Sequence, residues 1–213
     1  MNVKKLIIVG AGGLGREVHS WCKDWLKHNP GYVLGGFIDD GGLSLNRFSH
    51  YADVVSTIEG YQPAPDELLI CAIGKPADKK YVVNKLLAKG AEFFTLIHPT
   101  AILGENVQIG RGTLICPYSV LSVDLTVGEF VTVNTLCTIS HDTSIGDFTT
   151  LSLHCDVTGG VVLEGEVFMG SRASVLPKVR VGKGAVVGAG SVVLRDVKAG
   201  SVVVGVPARY ISE

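Results

Sequence analysis

The chain of 213 residues balances 19 basic against 20 acidic side chains and has no block of like charge, which argues against a nucleic-acid partner and against an acidic tail. Only 7% of residues are aromatic while 27 are glycine, a mix that suits a Gly-punctuated, Val/Ile-rich architecture better than an aromatic-centred core. The five cysteines (Cys22, Cys71, Cys116, Cys137, Cys155) are odd in number and form no C-x-x-C pair, so a reducing, cytoplasmic compartment is expected, with neither a disulfide framework nor a zinc site.

The start, "MNVKKLIIVGAGGLG", holds an apolar run of only Leu6 to Val9 before glycines interrupt it, and charged Arg16 and Glu17 follow. It reads as a strand buried on both faces, not a targeting segment. "REVHSWCKDWLKHN" is helical in pattern and ends before Pro30. "YVLGGFIDD" is a second strand ending at Asp39 and Asp40, "HYADVV" adds a short one, and "ELLICAIG" is a third buried strand. "KPADKKYVVNKLLAKG" predicts a helix, with Lys75 and Pro76 at its start and Gly90 beyond its end; "EFFTLIHP" closes the region. Such alternation predicts a parallel sheet with right-handed crossovers. No run approaches membrane-spanning length, so no membrane insertion is expected.

From Leu103 the period changes. Sixteen consecutive hexads run from Leu103 to Lys198 without insertion, and each begins with Leu, Ile, Val or Met. Gly fills the second place in seven of them, and the fifth place is mostly small. Neither a strand, with period two, nor a helix, with period 3.6, asks for an aliphatic residue every sixth position. A solenoid whose coil is three short strands does, because each hexad supplies one side and one corner. Ordinary strand-and-turn structure would not keep sixteen repeats in phase. The interior of such a prism is filled by its own anchors, so chemistry belongs on an outer face or between chains.

Two features carry candidate chemistry. "GAGGLG", Gly10 to Gly15, fits G-x-G-x-x-G between a strand and a helix, where backbone N–H groups meet a phosphate. Taken alone it suggests NAD, with Asp39 placed for a ribose hydroxyl. The domain is about half a full dinucleotide fold, however, and no hydride-transfer domain follows. The second feature is His141 followed by Asp142, at the third and fourth places of a hexad. Place three lies near a corner and points outward, so His141 is either a plain surface histidine or a base. An imidazole titrates in the range needed to take a proton at neutral pH, and a neighbouring carboxylate fixes its tautomer. Cys137 occupies a small fifth place and reads as a buried structural thiol.

The hexad series resembles the left-handed parallel β-helix of the hexapeptide-repeat acyltransferases, and "VVGVPARYI" matches the G-x-P-A-[KR] terminator of that family at Gly205, Pro207, Ala208 and Arg209. With "GAGGLGREV", "GGFIDD", "AIG" and "IHPTA" ahead of it, nearly the whole chain resembles the bacterial sugar O-/N-acyltransferases. These include N-acetyltransferases of nucleotide-linked 4-amino-4,6-dideoxysugars and sialic acid O-acetyltransferases. The resemblance implies a Rossmann-like nucleotide-sugar-binding domain over residues 1–97 and a left-handed β-helix acetyltransferase domain over 98–213. It implies a homotrimer with sites between subunits, acetyl-CoA as co-substrate and no metal.

By the same resemblance His141 is the general base and Asp142 its partner. Asn134, Thr150, Gly159 (through its N–H to the acetyl oxygen) and Arg209 are acetyl-CoA contacts. Gly10, Gly12, Gly13, Gly15, Asp39, Asp40, Gly74 and Lys75 line the nucleotide-sugar site, in place of the NAD reading. The family often has Glu where Asp142 stands, and His where Thr150 stands. Arg172, Lys178 and Lys183 are further cations along the later coils. Three other readings stay in play: an O-acetyltransferase acting on a sugar such as sialic acid, an NAD-binding protein and a non-catalytic scaffold. A γ-type carbonic anhydrase needs more zinc histidines than His141 and His154, and serine acetyltransferases lack the Gly-loop domain.

Overall fold

The computed structural model describes residues 3–41, 45, 48 and 50–212. The N-terminal part is a four-stranded parallel sheet formed by β1 (Lys4–Val9), β2 (Tyr32–Ile38), β3 (Val54–Ser56) and β4 (Glu67–Cys71), in the order β3-β2-β1-β4. The last four residues of β1 are all buried, as a central strand covered on both sides requires. Helix α1 (Gly13–Leu26) buries Gly15, Val18, His19 and Cys22, a stripe at helical spacing. It begins earlier than the sequence pattern indicated, since Gly13 and Leu14 already belong to its first turn. Helix α2 (Pro76–Ala88) has Pro at its first position and is followed by Gly90 at φ +84°, as its end signals predict.

The rest is a parallel β-solenoid of triangular section, the expected left-handed β-helix fold. Through the hexads the strands pair eighteen residues apart, as in Thr132 with Thr150 and Thr138 with Asp156, while the last coil is two residues shorter and sets Val186 opposite Val202. Face 1 has eight strands, including Leu96–Ile97, Thr132–Val133, Thr150–Leu151, Phe168–Met169 and Val186–Val187. Face 2 has six, among them Val120–Leu121, Thr138–Ile139 and Asp156–Val157, and face 3 has five, among them Ser144–Ile145 and Arg180–Val181. The first rung starts before the hexads do, because Leu96–Ile97 pairs with Leu114–Ile115.

Fourteen of the sixteen hexad anchors are buried; the exceptions, Leu103 and Ile109, lie in the first coils, where no earlier coil covers them. Fifth-place residues also fill the interior: Thr113, Cys137, Thr149, Ala173 and Ser191 are fully buried. The corner itself falls on the fourth place. Fifteen of the sixteen fourth-place residues, from Asn106 to Gly190, have φ between +52° and +70°, the left-handed turn that closes each side. At the far end Gly205 turns the chain back so that Arg209–Ser212 runs antiparallel to Val202–Val204, and Ala208 packs against the prism core.

The N-terminal domain sits on face 1 and on the ridge between faces 3 and 1. Phe93 packs edge-on against Phe130 (centroids 5.1 Å apart), which stacks on Phe148 at 5.2 Å. Lys79 of α2 is 1% exposed, and its ammonium donates to the Phe130 carbonyl (3.0 Å), the Thr132 hydroxyl (2.9 Å), the Thr149 carbonyl (3.2 Å) and the Thr150 hydroxyl (2.8 Å). All four acceptors are neutral. Burial pushes its pKa down to about 8.

Candidate active site

The glycine loop crosses the carboxyl ends of β1 and β4. Gly10 has φ +98°, and Gly12 caps α1 without a side-chain bond, which leaves the helix's first N–H groups facing outward. Gly15 is forced by close approach: a Cβ there would lie 1.9 Å from the Gly10 carbonyl oxygen. At Gly12, Gly13 and Gly74 a Cβ meets nothing within 4 Å, so open space lies over them. Asp39 organises the loop, accepting the Ala11 N–H at 2.7 Å on one carboxylate oxygen and the Gly41 N–H at 2.6 Å on the other. Asp40 accepts the Ile58 N–H at 2.7 Å. Lys75 is the N-cap residue of α2, exposed, with Asp78 at 3.4 Å. Arg16, which sequence reasoning did not single out, lies one turn into α1 with its guanidinium 4.6 Å over the Phe48 ring.

Lys75, Pro76 and Ala77 also form one wall of a cleft of about 480 Å³, whose other wall is the outer surface of face 1 at Glu166, Phe168, Gly184 and Val186. Lys80 and Lys183 both reach Glu166, at 2.7 and 3.3 Å, so those cations are already paired.

His141 lies on the ridge between faces 2 and 3, just after Thr138–Ile139, with its side chain 62% exposed. Its Nδ1 is 2.7 Å from Asp142 Oδ2, so the shorter acid does reach the ring. Asp142 manages this because its own backbone takes the left-handed corner turn, φ +58°, which folds the carboxylate back beside the imidazole. With Nδ1–H donating to the carboxylate, Nε2 is left as an acceptor. The next coil is tied on directly: the Gly160 N–H donates to the His141 carbonyl at 2.9 Å. Third-place N–H groups lie outside the ladder, and where a carboxylate is near they are taken, as when Asp147 accepts from Glu129 N–H (2.8 Å) and Glu164 from Lys183 N–H (2.8 Å). Gly159, in the same place one coil above His141, presents its N–H to the ridge with no such partner among the described residues.

The remaining expected contacts scatter over the prism. Asn134 stands on the ridge between faces 1 and 2, its side-chain oxygen accepting from the Thr135 N–H and hydroxyl at 2.8 and 3.1 Å. Thr150 is buried on face 1 beneath Lys79 and is not brought together with His141. Arg209 is in the terminal hairpin, beside an opening of about 380 Å³ that Arg195, Asp196 and Tyr210 share. Of the later cations Lys178 rises on the ridge of His141, while Arg172 and Lys183 occupy the other two ridges. Cys137 is buried and its thiol donates to the Ser152 carbonyl at 3.0 Å; a hydrogen bond with Cys155, together with burial, raises its pKa, so it stays protonated. Lys79 was missed too, although it leaves a trace: it shares the stripe Lys79, Val82, Val83, Leu86, a lysine among buried apolar residues of one helix face.

Among the described residues no group of three His, Cys, Asp or Glu side chains is placed to hold a metal, and no helix is long and apolar enough to cross a membrane. Residues 5–86 match the PglD N-terminal domain family. The whole chain superposes on WeeI from Acinetobacter baumannii AYE with a TM-score of 0.87 at 28% identity, over 98% of this chain and 100% of that one. The acetyltransferase domain of PglB from Neisseria gonorrhoeae FA1090 in complex with acetyl coenzyme A superposes at 0.86 and 25% identity, again over 98% and 100%. PerB from Caulobacter crescentus in complex with CoA and GDP-perosamine gives 0.85 and 25%, over 99% and 98%. A curated 2,3,4,5-tetrahydropyridine-2,6-dicarboxylate N-acetyltransferase of Staphylococcus aureus is 51% identical over 53 residues, a stretch that spans only 22% of that protein. The resemblance to hexapeptide-repeat sugar acyltransferases read from the sequence is thereby borne out.

Proposed function

From a chain whose first domain is PglD-like and whose full length takes the form of the hexapeptide-repeat sugar acetyltransferases, we propose a cytoplasmic, acetyl-CoA-dependent N-acetyltransferase acting on the amine of a nucleotide-linked 4-amino-4,6-dideoxysugar. The observation that carries this reading is the His141–Asp142 pair, held at 2.7 Å on an open ridge, with the Gly159 N–H, unpartnered among the described residues, one coil above it. The sugar amine attacks the thioester carbonyl carbon of acetyl-CoA. As the C–N bond forms, Nε2 of His141 takes the amine proton, and Asp142 holds the tautomer that leaves Nε2 free and steadies the imidazolium. The carbonyl oxygen gains charge and accepts from the Gly159 N–H. Collapse breaks the C–S bond; the thiolate takes the proton back from His141, giving the amide and free CoA. Lys178 on the same ridge and Arg209 beyond it suit the phosphates of CoA. The glycine loop, with Gly74 and Lys75 beside it, takes the sugar nucleotide, with Asp39 and Asp40 holding the loops that shape it.

We divide the chain at 97/98 into the nucleotide-sugar domain and the transferase domain, and take the active form to be a homotrimer. The support is geometric. The N-terminal domain rests on face 1, whereas His141 stands on the ridge opposite that face. A sugar nucleotide held at Gly10–Gly15 is separated from its own His141 by the width of the prism, so a neighbouring chain supplies the base. Exposed apolar side chains on face 2 and on the ridge between faces 1 and 2, namely Ile102, Val120, Tyr118, Leu136 and Leu153, suit the contact between prisms.

The test is acetyl-CoA consumption across UDP-, dTDP- and GDP-linked 4-amino-4,6-dideoxysugars, with sialic acid and serine as controls. Turnover with one of the amino sugars is the expected result. Turnover with sialic acid alone would transfer the assignment to O-acetylation, and NAD binding without turnover would return the glycine loop to the dinucleotide reading.

A further inference from the structure

We infer that Gly159 is a positioning residue for His141: its bare α-carbon is the seat on which the imidazole lies, and the absence of a side chain there sets which ring nitrogen carries the proton. This deepens the transferase reading and rests on it. A Cβ built on Gly159 would stand 2.7 Å from both Cε1 and Nε2 of His141 and 3.3 Å from Nδ1. Three ring atoms therefore crowd the place a side chain would take. Gly159 follows His141 by one full coil on the same ridge, so the contact repeats the spacing between stacked strands, about 4.8 Å.

Backbone torsion does not explain the glycine. The left-handed residue of this corner is Gly160, at φ +70°, and Gly159 is not in that region. Nor does the ridge exclude side chains in general, since the equivalent third-place residues of the other coils are Glu105, Val123, Pro177 and Arg195. What excludes one at 159 is the ring. A methyl group at 159 pushes the imidazole outward, because the coil behind it is fixed by the ladder, in which the Gly160 N–H holds the His141 carbonyl and the Lys178 N–H holds the Gly159 carbonyl. Moving the ring breaks the 2.7 Å bond from Nδ1 to Asp142, and with it the preference for the Nδ1–H tautomer.

The experiment compares wild type with Gly159→Ala, which keeps the peptide N–H and so leaves the donor to the acetyl oxygen in place. In protein carrying ¹⁵N-labelled histidine, wild-type His141 shows the Nδ1–H tautomer and Gly159→Ala shows a mixture. The turnover number falls about a hundredfold, as for other ångström-scale misplacements of a catalytic group, with KM for acetyl-CoA little changed. Asp142→Asn shifts the tautomer in the same way, and adding Gly159→Ala to it costs little more, since both act through one bond. A second measurement covers poor folding: in a His141→Ala background the Gly159→Ala change no longer lowers the melting temperature, because the obstructing ring is gone. An unchanged tautomer with unchanged turnover in Gly159→Ala, or an equal thermal cost with and without the ring, overturns the inference. A shifted tautomer in a protein that acetylates no acceptor leaves the seat standing and removes the transferase reading instead.

Discussion

The two halves of the chain solve the packing problem with different materials. The prism core is built of Val, Ile, Leu, Ala, Cys and Met, with no aromatic ring among its buried members. The α/β domain fills its irregular gaps with Phe37, Tyr61 and Phe93 and leans Trp21 and Trp25 against the cluster that holds Phe37. A repeated slot admits only side chains of nearly one volume, whereas a one-off junction between sheet and helix can be shaped around a large ring. Within the prism each coil stacks on the coils above and below it. Chemistry divides along the same line. The α/β domain offers backbone N–H groups shaped by glycines, while the prism offers side chains on ridges that the core does not use.

That contrast can be broken or sharpened by experiment, and the largest effect is expected on the ridge. His141→Ala should lower turnover by about a thousandfold without moving the melting temperature, since the side chain is exposed and its carbonyl, not its ring, joins the ladder. Gly13→Glu places a carboxylate in the open space at the start of α1 and should repel a nucleotide diphosphate while leaving the fold intact. Each variant alone is silent. Mixed and reassembled, they should recover roughly a quarter of the wild-type sites if the base and the nucleotide come from different chains; no recovery would mean that each chain serves itself.

Core truncations test the packing half of the comparison. Phe37→Ala should cost about 3–5 kcal/mol and Leu151→Ala about 2–5 kcal/mol in chemical denaturation. The second loss should stay local, so hydrogen exchange should quicken only in the coils next to Leu151.

Lys79 joins the two materials, and Lys79→Met should destabilise by about 2 kcal/mol because the Phe130 carbonyl loses the ammonium and the Thr149 carbonyl is left with its ladder bond from the Thr132 N–H alone. The sign with pH is set by a folded pKa of about 8 against 10.5 for the free side chain. Between those values the unfolded chain holds a proton that the folded chain has released, so stability rises with pH through this window. The gap between wild type and Lys79→Met should widen from pH 8 to 10. The smallest expected effect is at a corner: Arg172→Asn, at φ +61°, should gain up to about 1 kcal/mol by relieving a left-handed turn.

The anchors were legible in the chain because the same physical demand recurs at every sixth residue, from Ile115 to Val193. A corner near the third place is legible, but its seat at the fourth is less plain, although Gly112, Gly160, Gly184, Gly190, Asn106 and Asp124 all mark that place with residues that tolerate positive φ. Tyr118, Phe130, Leu136 and Phe148 obscured it; stacking of one coil on the next holds them in a turn they would not choose alone. His141 and Asp142 were visible as a pair, but not that the corner turn is what brings the carboxylate to the ring. Lys79 and Thr150 lie 71 residues apart, and no local pattern announces their meeting.

The eighteen-residue coil makes the chain a screw with a three-position index. Excising one coil above Gly159 would shorten the column from the base to the terminal hairpin by a single step and leave every ridge in line. Excising one hexad between Thr150 and Lys178 would turn everything after it by a third of a revolution, carrying Lys178 and the hairpin away from His141. Length variation among the regular coils is therefore quantised in steps of eighteen, and only the last coil, where Val186 meets Val202, departs from it.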